Sequence, residues 1–259
     1  MRNNRGKLLA LGSALLAIAT VVFVYDTYRN EVMARLYAEA LGHSPFYRGS
    51  VESQAAVKTL ATYRGRRSTI MLLDLASRQN TLTPGAQAEA INALRDRKDA
   101  EIAIVLANLL QPHEALSTRQ AAATALKGLP CKGDCIRLVL HYLERVMRGE
   151  PNEEDRIVFP PGTENLRADQ QTSQQMLYDT LYSILQQEKI ETLTSLAWVY
   201  GLGSDDPAPF GLDLASRLKL FEACPYLLQS GQNIESSPSG LYTAPPKGLQ
   251  TAISSLNCK

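Results

Sequence analysis

Little in this 259-residue chain offers ready-made chemistry. It has one Trp, and Phe, Trp and Tyr together make up only 7%, too few for an aromatic-lined sugar or base platform. Three His and four Cys are sparse material for a metal centre. There is no glycine-rich phosphate loop, and no Gly-x-Ser-x-Gly turn to expose a nucleophilic serine. No cofactor is expected, and a small-molecule ligand is disfavoured. Net charge is also scarce, because 27 Lys and Arg against 26 Asp and Glu leave +1. Bulk attraction to nucleic acid needs a concentrated excess of cations, so that class is set aside. What is present is globular composition, 45% hydrophobic and 20% charged. That excludes disorder throughout, and this length allows one sizeable core or more.

Residues 8–25 (LLALGSALLAIATVVFVY) are an uncharged apolar run of helical character, preceded by Arg2, Arg5 and Lys7 within the basic segment 1–7. At helical rise the run spans roughly 27 Å, close to the hydrocarbon thickness of a bilayer. It predicts a transmembrane signal anchor in contact with the lipid bilayer through residues 8–25. The basic flank puts the N-terminus in the cytoplasm and the body across the membrane, periplasmic or extracellular. The alternative is a signal peptide cleaved after Ala17-Ile18-Ala19, leaving a secreted body. Residues 26–49 read as a juxtamembrane helix over 28–41 and a linker closed by Pro45 to Gly49.

Residues 50–149 read as successive helical hairpins. Ala56-Val57-Lys58-Thr59-Leu60 is echoed at Ala90-Ile91-Asn92-Ala93-Leu94 and again at Ala122-Ala123-Thr124-Ala125-Leu126. Such even spacing signals stacked repeats. Each echo leads through a polar turn into a second apolar helix, the third carrying Ile136, Val139, Leu140 and Leu143. Apolar positions recur at three and four, and Ala is abundant, so the period is helical. Thr83-Pro84 and Ser117-Thr118 supply start signals.

The segment Arg119-Gln120-Ala121-Ala122-Ala123-Thr124-Ala125-Leu126-Lys127-Gly128-Leu129 resembles the first helix of a short HEAT repeat. Ala88 to Leu94 is similar but lacks the Arg and the Gly. The resemblance covers residues 50–149 and implies an α-solenoid of antiparallel hairpins whose business is binding or scaffolding. It carries over no catalytic residues. Tetratricopeptide repeats share the period but their Trp, Gly and Tyr landmarks are missing, so that architecture is the alternative. The fold class expected is therefore all-α, a transmembrane helix followed by the solenoid.

Residues 150–171 form an acidic, Pro-rich interruption with Pro151, Pro160, Pro161 and Gly162. Helices resume at 172–187, 190–202 and 213–229, so that 172–229 makes further hairpins or a cap. Residues 230–259, rich in Ser, Gly and Pro, read as an extended C-terminal tail.

Four cysteines in an exported chain invite disulfides. Cys131 and Cys135 lie in one turn, close enough to bridge, and Cys224 with Cys258 would pin the tail. A zinc site is the sharper alternative, but C-x3-C has neither a second Cys pair nor a His pair beside it. Free buried thiols are the third possibility. Arg64, Arg66 and Arg67 occupy the first inter-helix turn, Arg95, Arg97 and Lys98 the second, and Lys127 and Lys132 the third. Stacked turns would align them as a basic edge, although solvated turns need cations merely for solubility. His43, His113 and His141 are isolated, without metal-ligand spacing. Asp205-Asp206-Pro207 is explained by a turn before the next helix.

The function expected is a scaffold or assembly factor that binds a protein partner at or near the membrane. Second is an envelope-binding module using the basic edge on anionic lipid or polymer. Third is an enzyme with a site in residues 172–259, for which no nucleophile–base pair is visible.

Overall fold

The computed structural model describes residues 3–42, 50–78, 83–97, 99–148, 164–236 and 247–259, with side chains described from Leu16 onward and, in the eighth helix, from residue 171. His43, the Pro45 to Gly49 linker, Lys98, residues 149–163 and residues 237–246 lie outside the described residues. Among the described residues the chain is all-α, with twelve α-helices and no strand. It divides into two compact units, Met1–Ala93 and Leu94–Lys259.

The first unit holds α1 (Asn3–Ala40), α2 (Ser50–Thr62), α3 (Arg66–Ser77) and all but the last residue of α4 (Pro84–Leu94). The apolar run and the expected juxtamembrane helix are one continuous rod, α1. No Pro interrupts it, and the Thr20 and Thr27 hydroxyls donate back to the Leu16 and Phe23 carbonyls at 2.8 Å each. Among its described side chains the buried ones lie toward the C-terminal end. Met33 and Ala40 are buried together with Val57 and Leu60 of α2 and Leu72 and Leu75 of α3. Ser53 donates to the Ala40 carbonyl at 2.6 Å, satisfying an acceptor that the helix end leaves open. Gly65 turns the chain from α2 to α3 at φ +133°, where a Cβ would be strained. Gln87 of α4 donates to the Ala76 carbonyl at 2.9 Å.

The expected single-pass anchor is corrected here. Among the described residues no helix is long and apolar enough to cross a membrane. From Leu16 the apolar side chains run only to Tyr25, and Asp26, Arg29, Glu31 and Arg35 follow on the same helix.

The second unit contains α5 (Ala100–Asn108), α6 (Leu116–Leu126), α7 (Asp134–Met147), α8 (Glu164–Gln187), α9 (Lys189–Val199), α10 (Pro209–Arg217), α11 (Cys224–Ser236) and α12 (Lys247–Ser255). Asp99 caps α5 by accepting from the Glu101 N–H at 3.1 Å. Helix α5 packs on α6 and α7, α6 on α8, α7 on α9, and α12 on α10 and α11. Ile102 and Leu106, Ala122 and Leu126, Ile136, Val139 and Leu140, and Leu181 and Leu185 line the buried faces at helical spacing. Arg119 also lies in this core, only 1% exposed. Its Nε donates to the Glu114 carbonyl and its Nη1 to the buried Tyr142 hydroxyl, each at 3.0 Å.

Three boundaries differ from the sequence reading. Helix α8 begins at Glu164, inside the segment expected to be loop through residue 171. The run expected over 213–229 is two helices, because Lys219 adopts φ 51° and ends α10, and a short 3-10 turn at Phe221–Ala223 leads into α11. Part of the expected tail is α12, whose Leu249, Ala252 and Leu256 are buried.

Candidate functional site

All four cysteines are bridged. Cys131–Cys135 (Cα–Cα 5.2 Å) closes the loop before α7 onto that helix's first turn, and both residues are buried. Cys224–Cys258 (Cα–Cα 5.3 Å) ties the start of α11 to the segment after α12, and is half-buried. Bridges of this kind persist in oxidising compartments. Among the described residues no group of three His, Cys, Asp or Glu could hold a metal ion.

The cations expected to form one edge are divided between the units. Arg64, Arg66 and Arg67 are exposed in the first unit, around the Gly65 turn. The Arg64 carbonyl accepts from Arg29, whose guanidinium sits 5.9 Å from the Tyr63 ring centroid. Arg95, Arg97, Lys127 and Lys132 belong to the second unit. The stem of Arg95 lies along Gly128, where a Cβ would come 3.1 Å from Arg95 Cγ, so Arg95 and the Lys127 turn are neighbours. Asp96 stands 3.8 Å from Arg95 and dilutes its charge. His113 and His141 sit within 4 Å of Glu114 and Glu144.

In the first unit, Tyr37 of α1 donates to Asp74 of α3, and Arg78 holds that carboxylate at 2.6 Å and the Tyr37 oxygen at 3.1 Å. Burial pushes Asp74 up, but the hydrogen bonds from Arg78 and Tyr37 outweigh it and hold the carboxyl below its usual range. The same burial, together with Asp74, raises the Tyr37 phenol. This is a structural clasp between two helices.

The feature that sequence reasoning missed is on α9. This helix turns Thr192, Ser195 and Leu196 inward and leaves large apolar side chains outside. The buried Thr192 hydroxyl is satisfied by the Leu185 carbonyl at 3.0 Å. Trp198, the chain's single Trp, is 82% exposed, and Ile190 and Val199 stand out on the same helix. Beside Trp198 lies a shallow depression of about 490 Å³, lined further by Thr194, Ala197, Leu202, Gly203, Tyr226 and Gln229. Tyr226 comes from α11, so two helices and the turn between α9 and α10 build the surface.

That turn is held by its own backbone. Ser204 N–H donates to the Gly201 carbonyl at 2.9 Å, and Ala208 N–H to the Tyr200 carbonyl at 3.2 Å. Gly203 sits at φ 92° against Tyr226, where a Cβ would come 3.3 Å from Tyr226 Cδ1. Tyr200 anchors the turn from below, its ring 4.8 Å from Phe210 and nearly edge-on. Burial, reinforced by the nearby Glu144 charge, pushes its phenol up, so it stays neutral. Asp205 and Asp206 project from the turn, exposed, and neither carboxylate takes part in any hydrogen bond or ion pair among the described residues. Lys189, at the other end of α9, is committed to Glu222 at 2.8 Å and lies 5.9 Å from the Phe221 ring centroid.

Such a surface can bind by packing and stacking, and Trp and Tyr are the residue types that dominate interface energetics. An apolar helix face left outside a well-packed unit marks an interaction site more often than a lone exposed Leu would. The signal available in the sequence was the inverted pattern of α9, with Thr and Ser at core spacing and Ile and Trp off it. No family model, curated protein or solved structure matches this chain.

Proposed function

We propose that this protein is a helical scaffold of an oxidising compartment that binds a protein partner through the Trp198 face of its second unit. The observation that carries the reading is the 82% exposure of the single Trp beside Tyr226 and the open depression between them. The Cys224–Cys258 bridge ties down the start of α11, two residues before Tyr226, and backbone hydrogen bonds close the turn between α9 and α10. A preorganised face loses less freedom on binding. The echoed segments in α2, α4 and α6, each succeeded along the chain by another helix, support an α-solenoid of HEAT-like hairpins as the architecture. The Arg95–Lys127 neighbourhood favours a second reading, a basic edge on anionic lipid or polymer. That reading requires retention that salt abolishes.

The test is crosslinking of the tagged full-length protein in its own host, followed by quantitative mass spectrometry. Wild type is compared with Trp198→Ala and with Lys127→Glu. A stoichiometric protein partner kept by wild type and by the Lys127 variant, and lost with Trp198→Ala, is expected. Recovery of the protein alone, or a partner indifferent to Trp198, overturns the reading.

A further inference from the structure

The first unit concentrates cations that its own fold does not use. In a chain of net charge +1, Arg64, Arg66 and Arg67 crowd one turn, and Arg29 of α1 reaches the same place. Arg29 donates to the Arg64 carbonyl and lies 3.9 Å from the point where a Cβ on Gly65 would stand. The turn is fixed, because the buried Ser68 hydroxyl donates to the Tyr63 carbonyl at 2.6 Å and the Thr69 hydroxyl to the Gly65 carbonyl at 3.1 Å. Elsewhere in this unit cations answer acids: Arg35 meets Glu39 at 3.3 Å, and Arg78 meets Asp74 at 2.6 Å. Arg64, Arg66 and Arg67 are exposed, and among the described residues none of their guanidiniums takes part in a hydrogen bond or ion pair. The acids closest to Arg29 in sequence are Asp26, which accepts from Asn30 at 3.2 Å, and Glu31. All four cations are Arg, whose planar fork fits phosphate oxygens two at a time. A second observation adjoins this cluster. Ile18, Val22 and Tyr25 share the face of Arg29 on α1 at helical spacing, and they are 61%, 60% and 66% exposed. A stripe of apolar and aromatic side chains that ends in cations matches the boundary between acyl chains and headgroups. A soluble polyanion would answer the arginines and leave that stripe in water.

We infer that the first unit docks on an anionic phospholipid surface, with Arg29, Arg64, Arg66 and Arg67 on headgroup phosphates and the Ile18, Val22 and Tyr25 stripe at the acyl boundary. Docking of this kind asks for no helix that crosses a bilayer. It is separate from the Trp198 reading, because the site lies wholly in the first unit and its ligand is not a protein.

The test is cosedimentation of the full-length disulfide-bonded protein with vesicles of phosphatidylcholine alone, or of phosphatidylcholine with an equal part of phosphatidylglycerol, at low and high salt. Stronger partition onto the mixed vesicles, weakened by salt, is expected. The triple variant Arg64→Gln, Arg66→Gln, Arg67→Gln should lower that partition at least about 10-fold with the circular dichroism unchanged, since each surface cation contributes to it. Lys127→Gln with Lys132→Gln, in the second unit, should change it less than about 2-fold. Val22→Ser with Tyr25→Ser should weaken what binding remains at high salt. Equal partition onto the two kinds of vesicle, or an unaltered partition in the triple variant, overturns the inference. So does release by inorganic phosphate or by poly-glutamate at matched ionic strength, which would assign the arginines to a soluble anion or to an acidic protein instead.

Discussion

Consider replacing each disulfide in turn by a pair of alanines. In the chain-entropy account a bridge stabilises by restricting the unfolded chain, and its effect grows with the logarithm of the loop it closes. Cys224 and Cys258 are 34 residues apart, Cys131 and Cys135 only 4. Those separations give about 4 kcal/mol for the long loop and about 2 kcal/mol for the short one at 25 °C. The long bridge also holds α12, which buries Leu249, Ala252 and Leu256. Without the bridge these contacts remain, so the loss should stay near the entropic figure and not add a cavity cost. For a unit of this size that corresponds to a midpoint lowered by about 8–15 °C. Equilibrium denaturation followed by far-ultraviolet circular dichroism on the full chain measures both variants. Refutation would be a loss in Cys131→Ala, Cys135→Ala that equals or exceeds the loss in Cys224→Ala, Cys258→Ala. So would a long-loop effect below about 1 kcal/mol, because loop length would then have no bearing on these bridges.

Tyr142→Phe should cost about 1–2 kcal/mol, since it strips the hydroxyl that accepts from a guanidinium inside the core, and denaturant titration reads it directly. A dithiol reductant under native conditions should open Cys224–Cys258 before Cys131–Cys135, because only the former is partly exposed; alkylation and peptide mass mapping would show the reverse order if exposure does not govern access. Asp74 has its folded-state pKa depressed, so its clasp contributes stability above the usual value of 3.8 that is lost as pH falls below it. Asp74→Asn should flatten that acid limb of the stability profile, and an unchanged limb would remove the clasp from the account. Gly203→Ala should destabilise by about 1–2 kcal/mol through its backbone conformation, measured by thermal denaturation.

How much of this was legible beforehand follows from where the signal is local. Helices α2 to α7 declare themselves, because Ala-rich faces at three and four spacing and a start residue such as Pro84 act within one turn. The reach of Arg119 is another matter. Its position in a repeat-like helix was visible, but its burial depends on Tyr142, 23 residues away. Helix α12 hid behind Ser, Gly and Pro because a nine-residue helix has little propensity signal, and packing on α10 and α11 decides it. The α1 rod misled in the other direction: its apolar composition suggested a span, whereas among the described residues no helix is long and apolar enough to cross a membrane. The Trp198 face showed in the sequence only through the inverted Thr and Ser pattern of α9, which does not by itself mark an open surface. Sequence patterns identify what is buried, and an apolar residue left outside looks the same until its neighbours are placed.

The two bridges also differ in when they can close. Synthesis proceeds at about 5–20 residues per second, so Cys135 follows Cys131 within about a second, whereas Cys258 trails Cys224 by about 2–7 seconds. During that wait Cys224 is a lone thiol. Had Cys131 and Cys135 still been open, either could have captured it. A short bridge that closes first removes both wrong partners and reduces three possible pairings to one. The local turn of CKGDC thus serves as an editor of folding order, and a chain with that bridge deleted should accumulate mispaired Cys224 species during biosynthesis.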